Sequence, residues 1–299
     1  MIHAAKPSKL AQQDAKWGYL FIAPQFVGIL VFTVFPVFFS LYISFFKWDM
    51  INDPVFYNTR NWVKILSKPE FWRIMWNTCS YVLMYVPMSI VTGLLLALLI
   101  NREFRGVTLY RSAFFLPNIT SSVAISVIWS FLLQKDNGLV NMALALVGIT
   151  GPDWLHSRDW SMFAIAIVAT WHSMGYNMIV LLAGIKGIDP SYYEAAKVDG
   201  SSKLHSFLHI TLPLLTPTLF FMVCTGLINS FQMFNEAYML TGGGPGTATT
   251  TLVFKIYNLA FRFWKMGEAA VWSWGLFICV LAITLLQFKA QNKWVNYDA

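Results

Sequence analysis

The sequence predicts an all-α membrane protein with six transmembrane helices, and three observations carry this prediction. The chain of 299 residues is 57% hydrophobic. Only 12% of its residues are charged, about half the share of a soluble domain, whose surface needs charge to stay dispersed. The charged residues fall in small groups between long apolar runs. A chain that folds within lipid accounts for all three observations.

Six runs without Asp, Glu, Lys or Arg are long enough to cross a bilayer core, which takes about 20 helical residues. They are Trp17–Phe46, Ile74–Asn101, Ser112–Gln134, Trp160–Ile185, Leu204–Asn235 and Ala269–Phe288. Lipid-exposed backbone must be hydrogen-bonded within its own segment, so each run is expected to be one helix. The runs lack the alternation of β-barrel strands. Tryptophans near their ends, such as Trp48, Trp72 and Trp160, are typical of the membrane interface.

Six spans place both termini on one side of the membrane. Residues 1–16 are predicted to form an N-terminal tail and residues 17–299 the transmembrane domain. Lys and Arg are almost equally numerous in the two sets of loops. They are denser in the shorter set, which includes the termini, and this favours a cytoplasmic location for both ends.

The segment between the fourth and fifth runs predicts two short helices joined at a glycine. Asp189 is a good N-cap, and Pro190 suits the first helical position. Gly200 suits the left-handed position that ends a helix, and Ser201 or Ser202 can cap the next one. We expect this pair of helices to lie at the membrane face.

The same segment reads Glu-Ala-Ala, then Gly six residues after the Glu, then Ile-x-Leu-Pro. This pattern resembles the EAA loop of importer permeases of the ATP-binding-cassette superfamily. The matching residues are Glu194, Ala195, Ala196, Gly200, Ile210, Leu212 and Pro213. A second segment, from Leu240 to Tyr257, is similar to the outer loop of sugar and glycerol-phosphate permeases of the maltose type. From the residues alone, the first segment would also fit an amphipathic cytoplasmic helix without a partner.

The resemblance implies that the loop docks on a separate ATPase and is therefore cytosolic. It assigns ATPase coupling to Glu194, Ala195, Ala196, Asp199, Gly200, Leu212 and Pro213. It implies a bacterial cell membrane, a heterodimer with a second homologous permease, two ATP-binding-cassette ATPase subunits and an extracytoplasmic solute-binding protein. ATP and Mg would be bound by the ATPase subunits, and no cofactor by this chain.

Several activities are excluded by what the sequence lacks. No Gly is followed by Lys, so the phosphate-binding GxxxxGK[ST] loop is absent, and the chain is not an ATPase of that type. No catalytic motif is present, so an enzyme is not predicted. His205 and His209 are four residues apart without a third ligand nearby, and no metal site is predicted. The distribution of Lys and Arg does not indicate nucleic-acid binding.

Polar residues inside the spans predict a solute path, because such residues are costly in lipid. On the fifth run, Gly226, Asn229, Ser230 and Met233 share one helical face, and Gln232 shares an adjoining face with Asn229. On the fourth run, Trp171, Ser173, Tyr176 and Asn177 combine aromatic rings with hydroxyl and amide groups, which suits a sugar. Most of these positions resemble the sugar-lining positions of the maltose-type permease. The alternative is that the same residues only hold helices together.

The predicted function is therefore the import of a mono- or oligosaccharide, with a phosphorylated polyol left open. The main alternative is a secondary transporter of a small polar solute, which needs no ATPase. Such transporters tend to have inverted repeats and broken helices. The sequence shows no repeat and no charged residue deep in a span.

Overall fold

A computed structural model describes residues 9–102 and 104–296 of the chain. The first half contains α1 (Lys9–Ile29), α2 (Phe35–Ile43), β1 (Phe46–Lys47), β2 (Val55–Phe56), α3 (Arg60–Leu66), α4 (Pro69–Ile100), α5 (Val107–Ile119), α6 (Ser122–Leu132) and α7 (Leu139–Leu146). The second half contains α8 (Ser161–Lys186), α9 (Pro190–Val198), α10 (Lys203–Ser206), α11 (Leu212–Leu214), α12 (Thr216–Phe231), α13 (Asn235–Leu240), α14 (Leu252–Tyr257) and α15 (Met266–Gln291). Three π-helical segments complete the helices: Leu30–Val34, Phe207–Thr211 and Asn258–Arg262.

Four helical segments among the described residues are long and apolar enough to cross a membrane. They are Ala15–Ile43, Pro69–Ile100, Ser161–Lys186 and Met266–Gln291. Two bent pairs, α5 with α6 and Lys203–Leu214 with α12, pass the same test together. The described residues therefore contain four candidate spans, or up to six if each bent pair is one span, and the pair that ends in α12 is then the fifth. Of the tail predicted over residues 1–16, residues 1–8 lie outside the described residues, and α1 begins at Lys9.

The prediction that every apolar run is one helix is wrong for the third and fifth runs. The axes of α5 and α6 meet at 98°, and those of Lys203–Leu214 and α12 at 62°. In the fifth run, Pro217 has no N–H to donate to the Pro213 carbonyl. The Thr216 hydroxyl donates to that carbonyl instead, at 2.6 Å. In the third run the helix breaks just after Pro117, and the Thr120 hydroxyl donates to the Leu116 carbonyl at 3.0 Å.

The core is built around α8, which packs closely against α4 and α5 at small residues. A Cβ on Gly93 of α4 would lie 2.6 Å from the Asn177 Cβ of α8, and one on Gly175 of α8 would lie 2.1 Å from the Phe114 carbonyl oxygen of α5. The Asn177 amide donates to the Ser89 carbonyl at 3.1 Å and is buried. Small residues and one interhelical hydrogen bond thus fix the central helix pair, as is usual in membrane bundles.

The all-α prediction misses one small antiparallel hairpin, in which β1 pairs with β2. Phe46 lies opposite Phe56, and Lys47 opposite Val55. The buried Asn61 amide donates to the Ser44 and Phe46 carbonyls, each at 2.9 Å. This hairpin fixes the first loop against the start of α15, where the Met266 N–H donates to the Trp48 carbonyl at 2.9 Å.

The described ends of the chain lie on the same face as the segment between α8 and α12. The Asn296 N–H donates to the Thr216 hydroxyl at 2.9 Å, which places the end of the chain beside the start of α12. At the opposite face, the Trp274 indole donates to the Ser40 hydroxyl at 3.1 Å. Because α2 ends where α15 begins, α1 starts on the face where α15 ends.

Candidate functional site

The segment from Asp189 to Pro213, here called the coupling segment after the role that its resemblance implies, has the local structure that its sequence predicts. Asp189 caps α9, its carboxylate accepting from the Ser191 N–H at 2.8 Å, and Pro190 occupies the first helical position. Gly200 has φ +74°, in the left-handed region that favours glycine. Ser202 caps the next helix by accepting from the His205 N–H at 3.2 Å. The predicted helix, glycine joint and second helix are therefore confirmed.

Backbone hydrogen bonds fix the turn at Gly200. The Ser201 N–H donates to the Ala196 carbonyl at 2.9 Å, and the Gly200 N–H to the Lys197 carbonyl at 3.2 Å. The Tyr193 hydroxyl lies 3.0 Å from the Thr211 hydroxyl oxygen and ties α9 to the start of the fifth span. Movement of α9 would therefore be transmitted to that span.

The coupling segment exposes the side that faces away from the rest of the chain. Glu194, Ala195, Asp199 and Gly200 are exposed, Ala196 is half-buried, and Val198 is 88% exposed. A groove of about 520 Å³ runs beside the joint. Leu212 and Pro213 are half-buried and belong to the helix that enters the fifth span. Sequence reasoning missed the exposed Tyr192, Val198 and Leu204, whose apolar side chains on a polar segment were the available signal.

The cap at Asp189 yields a test of the coupling segment. Asp189→Ala removes the acceptor and should fray the first turn of α9, lowering transport severalfold, whereas Asp189→Asn keeps an oxygen acceptor and should stay near wild type. Hydrogen bonds from Ser191 lower the pKa of Asp189 below its ordinary value of 3.8. The cap is therefore present above that value and is lost only as the pH falls through the lowered pKa.

We accordingly expect the ratio of Asp189→Ala to wild-type transport to stay constant between about pH 5 and pH 8. Uptake by vesicles at several external and internal pH values measures this ratio. Equal activity of Asp189→Ala and wild type would show that the cap does not matter for coupling.

The residues predicted to line the solute path differ in burial. Trp171, Tyr176, Asn229 and Gln232 are exposed on the surface of the chain, while Ser173 and Gly226 are half-buried. Asn177, Ser230 and Met233 are buried inside the chain. The Ser230 hydroxyl donates to the Leu227 carbonyl at 3.0 Å. In this conformation Ser230 and Met233 therefore contact the protein interior, which fits the helix-packing alternative.

The bend between α5 and α6 adds polar groups that sequence reasoning missed. His172 Nε2 lies 3.3 Å from the Thr120 carbonyl oxygen, and the Asn235 amide donates to the Ser122 hydroxyl at 2.9 Å. The Trp129 and Trp171 rings form an edge contact with centroids 5.5 Å apart. Pro117, with the three hydroxyl residues at positions 120–122 shortly after it, was the signal for this bend. Polar and aromatic groups from three spans thus meet around it.

The loop between α13 and α14 is a structured turn. The Thr249 hydroxyl donates to the Gly244 carbonyl at 2.9 Å, and the Thr250 hydroxyl to the Gly243 carbonyl at 3.1 Å. The Thr251 hydroxyl donates to the Met233 carbonyl at 2.9 Å. Threonine side chains therefore fix this loop to the end of the fifth span.

The chain is similar in sequence to known proteins over most of its length. Residues 62–290 match the family described as binding-protein-dependent transport system inner membrane component. The lactose transport system permease protein LacF of Rhizobium radiobacter is 37% identical over 284 residues, covering 92% of this chain and 94% of that protein. The trehalose/maltose transport system permease protein MalF of Thermococcus litoralis is 33% identical over 286 residues, covering 94% of this chain and 96% of that protein.

One solved structure shows the same fold. It is a bacterial alginate ABC transporter in complex with an alginate pentasaccharide-bound periplasmic protein. One of its chains superposes with a TM-score of 0.80 at 22% identity, covering 93% of this chain and 95% of that chain.

Proposed function

This chain belongs to the family of binding-protein-dependent transport system inner membrane components, and we propose that it imports a sugar or oligosaccharide. The chain is a multi-pass permease of the inner membrane and not an enzyme. The observation that best supports import driven by a separate ATPase is the coupling segment, with its capped helix, left-handed Gly200 and exposed Glu194 and Ala195.

We infer that the coupling segment docks on a separate ATPase subunit in the cytoplasm. Small Ala195 lets a partner approach the helix closely, and the Glu194 carboxylate offers it a charge. The contact between Tyr193 and Thr211 links the docked helix to the fifth span. Since the described chain ends lie on the same face, both termini would be cytoplasmic. ATP and Mg would bind to two such ATPase subunits.

The exposure of the first span supports the proposal that a second permease is a partner of this chain. None of the residues in its most apolar stretch is buried against the rest of the described chain. Lipid covers part of such a helix, and a second permease would cover the rest while completing the solute path. One chain has one coupling segment, so a pair of permeases would present one to each of two ATPase subunits.

A sugar is the solute that the exposed polar residues fit best. Trp171 and Tyr176 offer ring faces to C–H groups, and Asn229 and Gln232 offer amides to hydroxyls. The similar LacF and MalF are permeases of lactose and of trehalose and maltose systems by their descriptions. We propose that an extracytoplasmic binding protein delivers the sugar, as in the complex with a periplasmic protein. The broken spans also occur in secondary transporters, but membership of this family decides against that alternative.

The proposal predicts that ATP hydrolysis by the purified complex depends on the solute. The chain, co-purified with its partners and reconstituted in liposomes, should hydrolyse ATP about tenfold faster or more when the loaded binding protein is present, because docking would then reach the ATPase through the coupling segment. Lactose, trehalose and maltose are the sugars to test first. Full transport by this chain alone, without an ATPase, would contradict the proposal.

A further inference from the structure

A cavity rimmed by lysines lies at the ends of α4 and α15 that face away from the coupling segment. It has a volume of about 220 Å³. Its rim carries four lysines and two glutamates: Lys64, Lys68, Lys255, Lys265, Glu70 and Glu268. Its floor is formed by Ile65, Leu259 and Trp272, each at most 5% exposed. This lysine pocket therefore combines a charged rim with an apolar floor.

Only two of the four lysines of the pocket form ion pairs. Lys64 Nζ lies 2.6 Å from Glu268 Oε1, and Lys255 pairs with Glu70. Within the described residues, Lys68 and Lys265 have no acidic group within 4.0 Å. Both are exposed. The pocket thus keeps two positive charges that no part of the described chain neutralises.

The turn that carries Lys265 is held in an unusual conformation. Trp264 has φ +53°, which a bulky side chain rarely adopts. Hydrogen bonds hold the turn on both sides, from the Lys265 N–H to the Leu259 carbonyl at 2.8 Å and from the Met266 N–H to the Trp48 carbonyl at 2.9 Å. Strain of this kind persists only where surrounding contacts fix it, so this side of the pocket is formed before any ligand arrives.

Exposed aromatic side chains place the pocket at the depth of lipid headgroups. Trp72 is 60% exposed, Phe263 58% and Trp264 48%. Tryptophan concentrates where the apolar core of a membrane meets its polar surface. Apolar surface beside unpaired lysines matches a molecule with an anionic head and an apolar tail.

We propose that the lysine pocket binds one anionic phospholipid in the leaflet opposite the coupling segment. Its phosphodiester lies between Lys68 and Lys265, and its acyl chains run along the exposed aromatic side chains. Basic pockets between transmembrane helices bind anionic headgroups by this charge complementarity. A zwitterionic lipid has no net negative charge and therefore neutralises the two unpaired lysines of the pocket less well. The inference rests on the membrane location of the chain and does not depend on its solute or on ATPase coupling.

Native mass spectrometry of the purified transporter tests the proposal. The protein in a polyoxyethylene detergent is titrated with dioleoyl phosphatidylglycerol or dioleoyl phosphatidylcholine. One phosphatidylglycerol should bind more tightly than any phosphatidylcholine. A Lys68→Gln/Lys265→Gln double variant should weaken that binding about 30-fold, since a lysine near an anionic lipid contributes roughly 1 kcal/mol and 1.4 kcal/mol is about tenfold.

Two controls separate charge from folding. Lys135→Gln removes an exposed lysine in the loop after α6 and should leave the affinity for phosphatidylglycerol unchanged. Lys68→Arg/Lys265→Arg keeps both charges and should retain binding. Equal affinity for both lipids in the wild type, or unchanged affinity in the glutamine double variant, overturns the proposal.

Two further outcomes would assign the pocket to another ligand. Displacement of the lipid by millimolar glycerol 1-phosphate would show a site for small anions. Loss of binding-protein docking in the glutamine variant, with phosphatidylglycerol affinity unchanged, would show a protein-docking surface.

Discussion

Replacing Gly200 by valine is expected to abolish most transport while leaving the protein in the membrane. Gly200 has φ +74°, a conformation that costs a β-branched residue about 1–3 kcal/mol. No atom outside its neighbours lies within 4 Å of the Cβ that valine would add, so the effect comes from the backbone and not from a clash. Because the turn sets the angle between α9 and the next helix, relaxing it misplaces the exposed face of α9. Solute-stimulated ATPase activity should fall about tenfold or more.

A matched glycine provides the control for this prediction. Gly148 has φ +77° and also has no atom within 4 Å of an added Cβ, but it lies in the loop between α7 and α8. Gly148→Val therefore introduces the same strain away from the coupling segment and should keep solute-stimulated ATPase activity near the wild-type level. If both variants lose coupling equally, or if Gly200→Val couples normally, the role assigned to Gly200 is wrong.

The coupling segment was predictable from the sequence because its structure is determined locally. Asp189, Pro190, Gly200 and Ser202 each act on backbone groups within three residues, so residue type and spacing suffice. The fixed loop before α14 was predictable for the same reason, since several of its threonines bond to nearby glycine carbonyls.

The inner and outer faces of the spans were not predictable in this way. In a soluble protein the apolar face of a helix is its buried face, but in lipid both the core and the outside are apolar. Helical periodicity correctly groups Gly226, Asn229 and Ser230 as neighbours on α12. It does not tell that Ser230 turns into the chain while Asn229 turns out, which depends on how α12 packs against α4 and α15.

The angles of the two helix bends could also not be predicted from the sequence. Pro117 and Pro217 mark positions where a helix loses one hydrogen bond, but a proline kink can be small or large. The 98° turn between α5 and α6 depends on partners from other spans, including the Asn235 amide at Ser122 and the His172 ring at Thr120. The chain positions of these partners are far apart, so their contact was not visible in the sequence.

Asn229→Ala is expected to lower transport without lowering the stability of the protein. Asn229 is exposed on α12, and within the described residues its side chain has no hydrogen-bond partner. If it bonds to solute in the path, alanine removes that bond and should reduce uptake about tenfold, as a lost hydrogen bond of roughly 1–3 kcal/mol implies. Basal ATPase activity and the melting temperature should stay close to those of the wild type.

Asn177→Ala makes the same chemical change at a buried position and should instead lower the stability of the protein. The Asn177 amide donates to the Ser89 carbonyl at 3.1 Å and lies between α4 and α8. Alanine removes this hydrogen bond between the helices and opens a void in the central helix pair, so the melting temperature should fall. Uptake, ATPase activity and melting temperature measured on both variants separate the two roles of asparagine. A loss of stability without loss of uptake in Asn229→Ala would remove Asn229 from the solute path and make it a helix-packing residue.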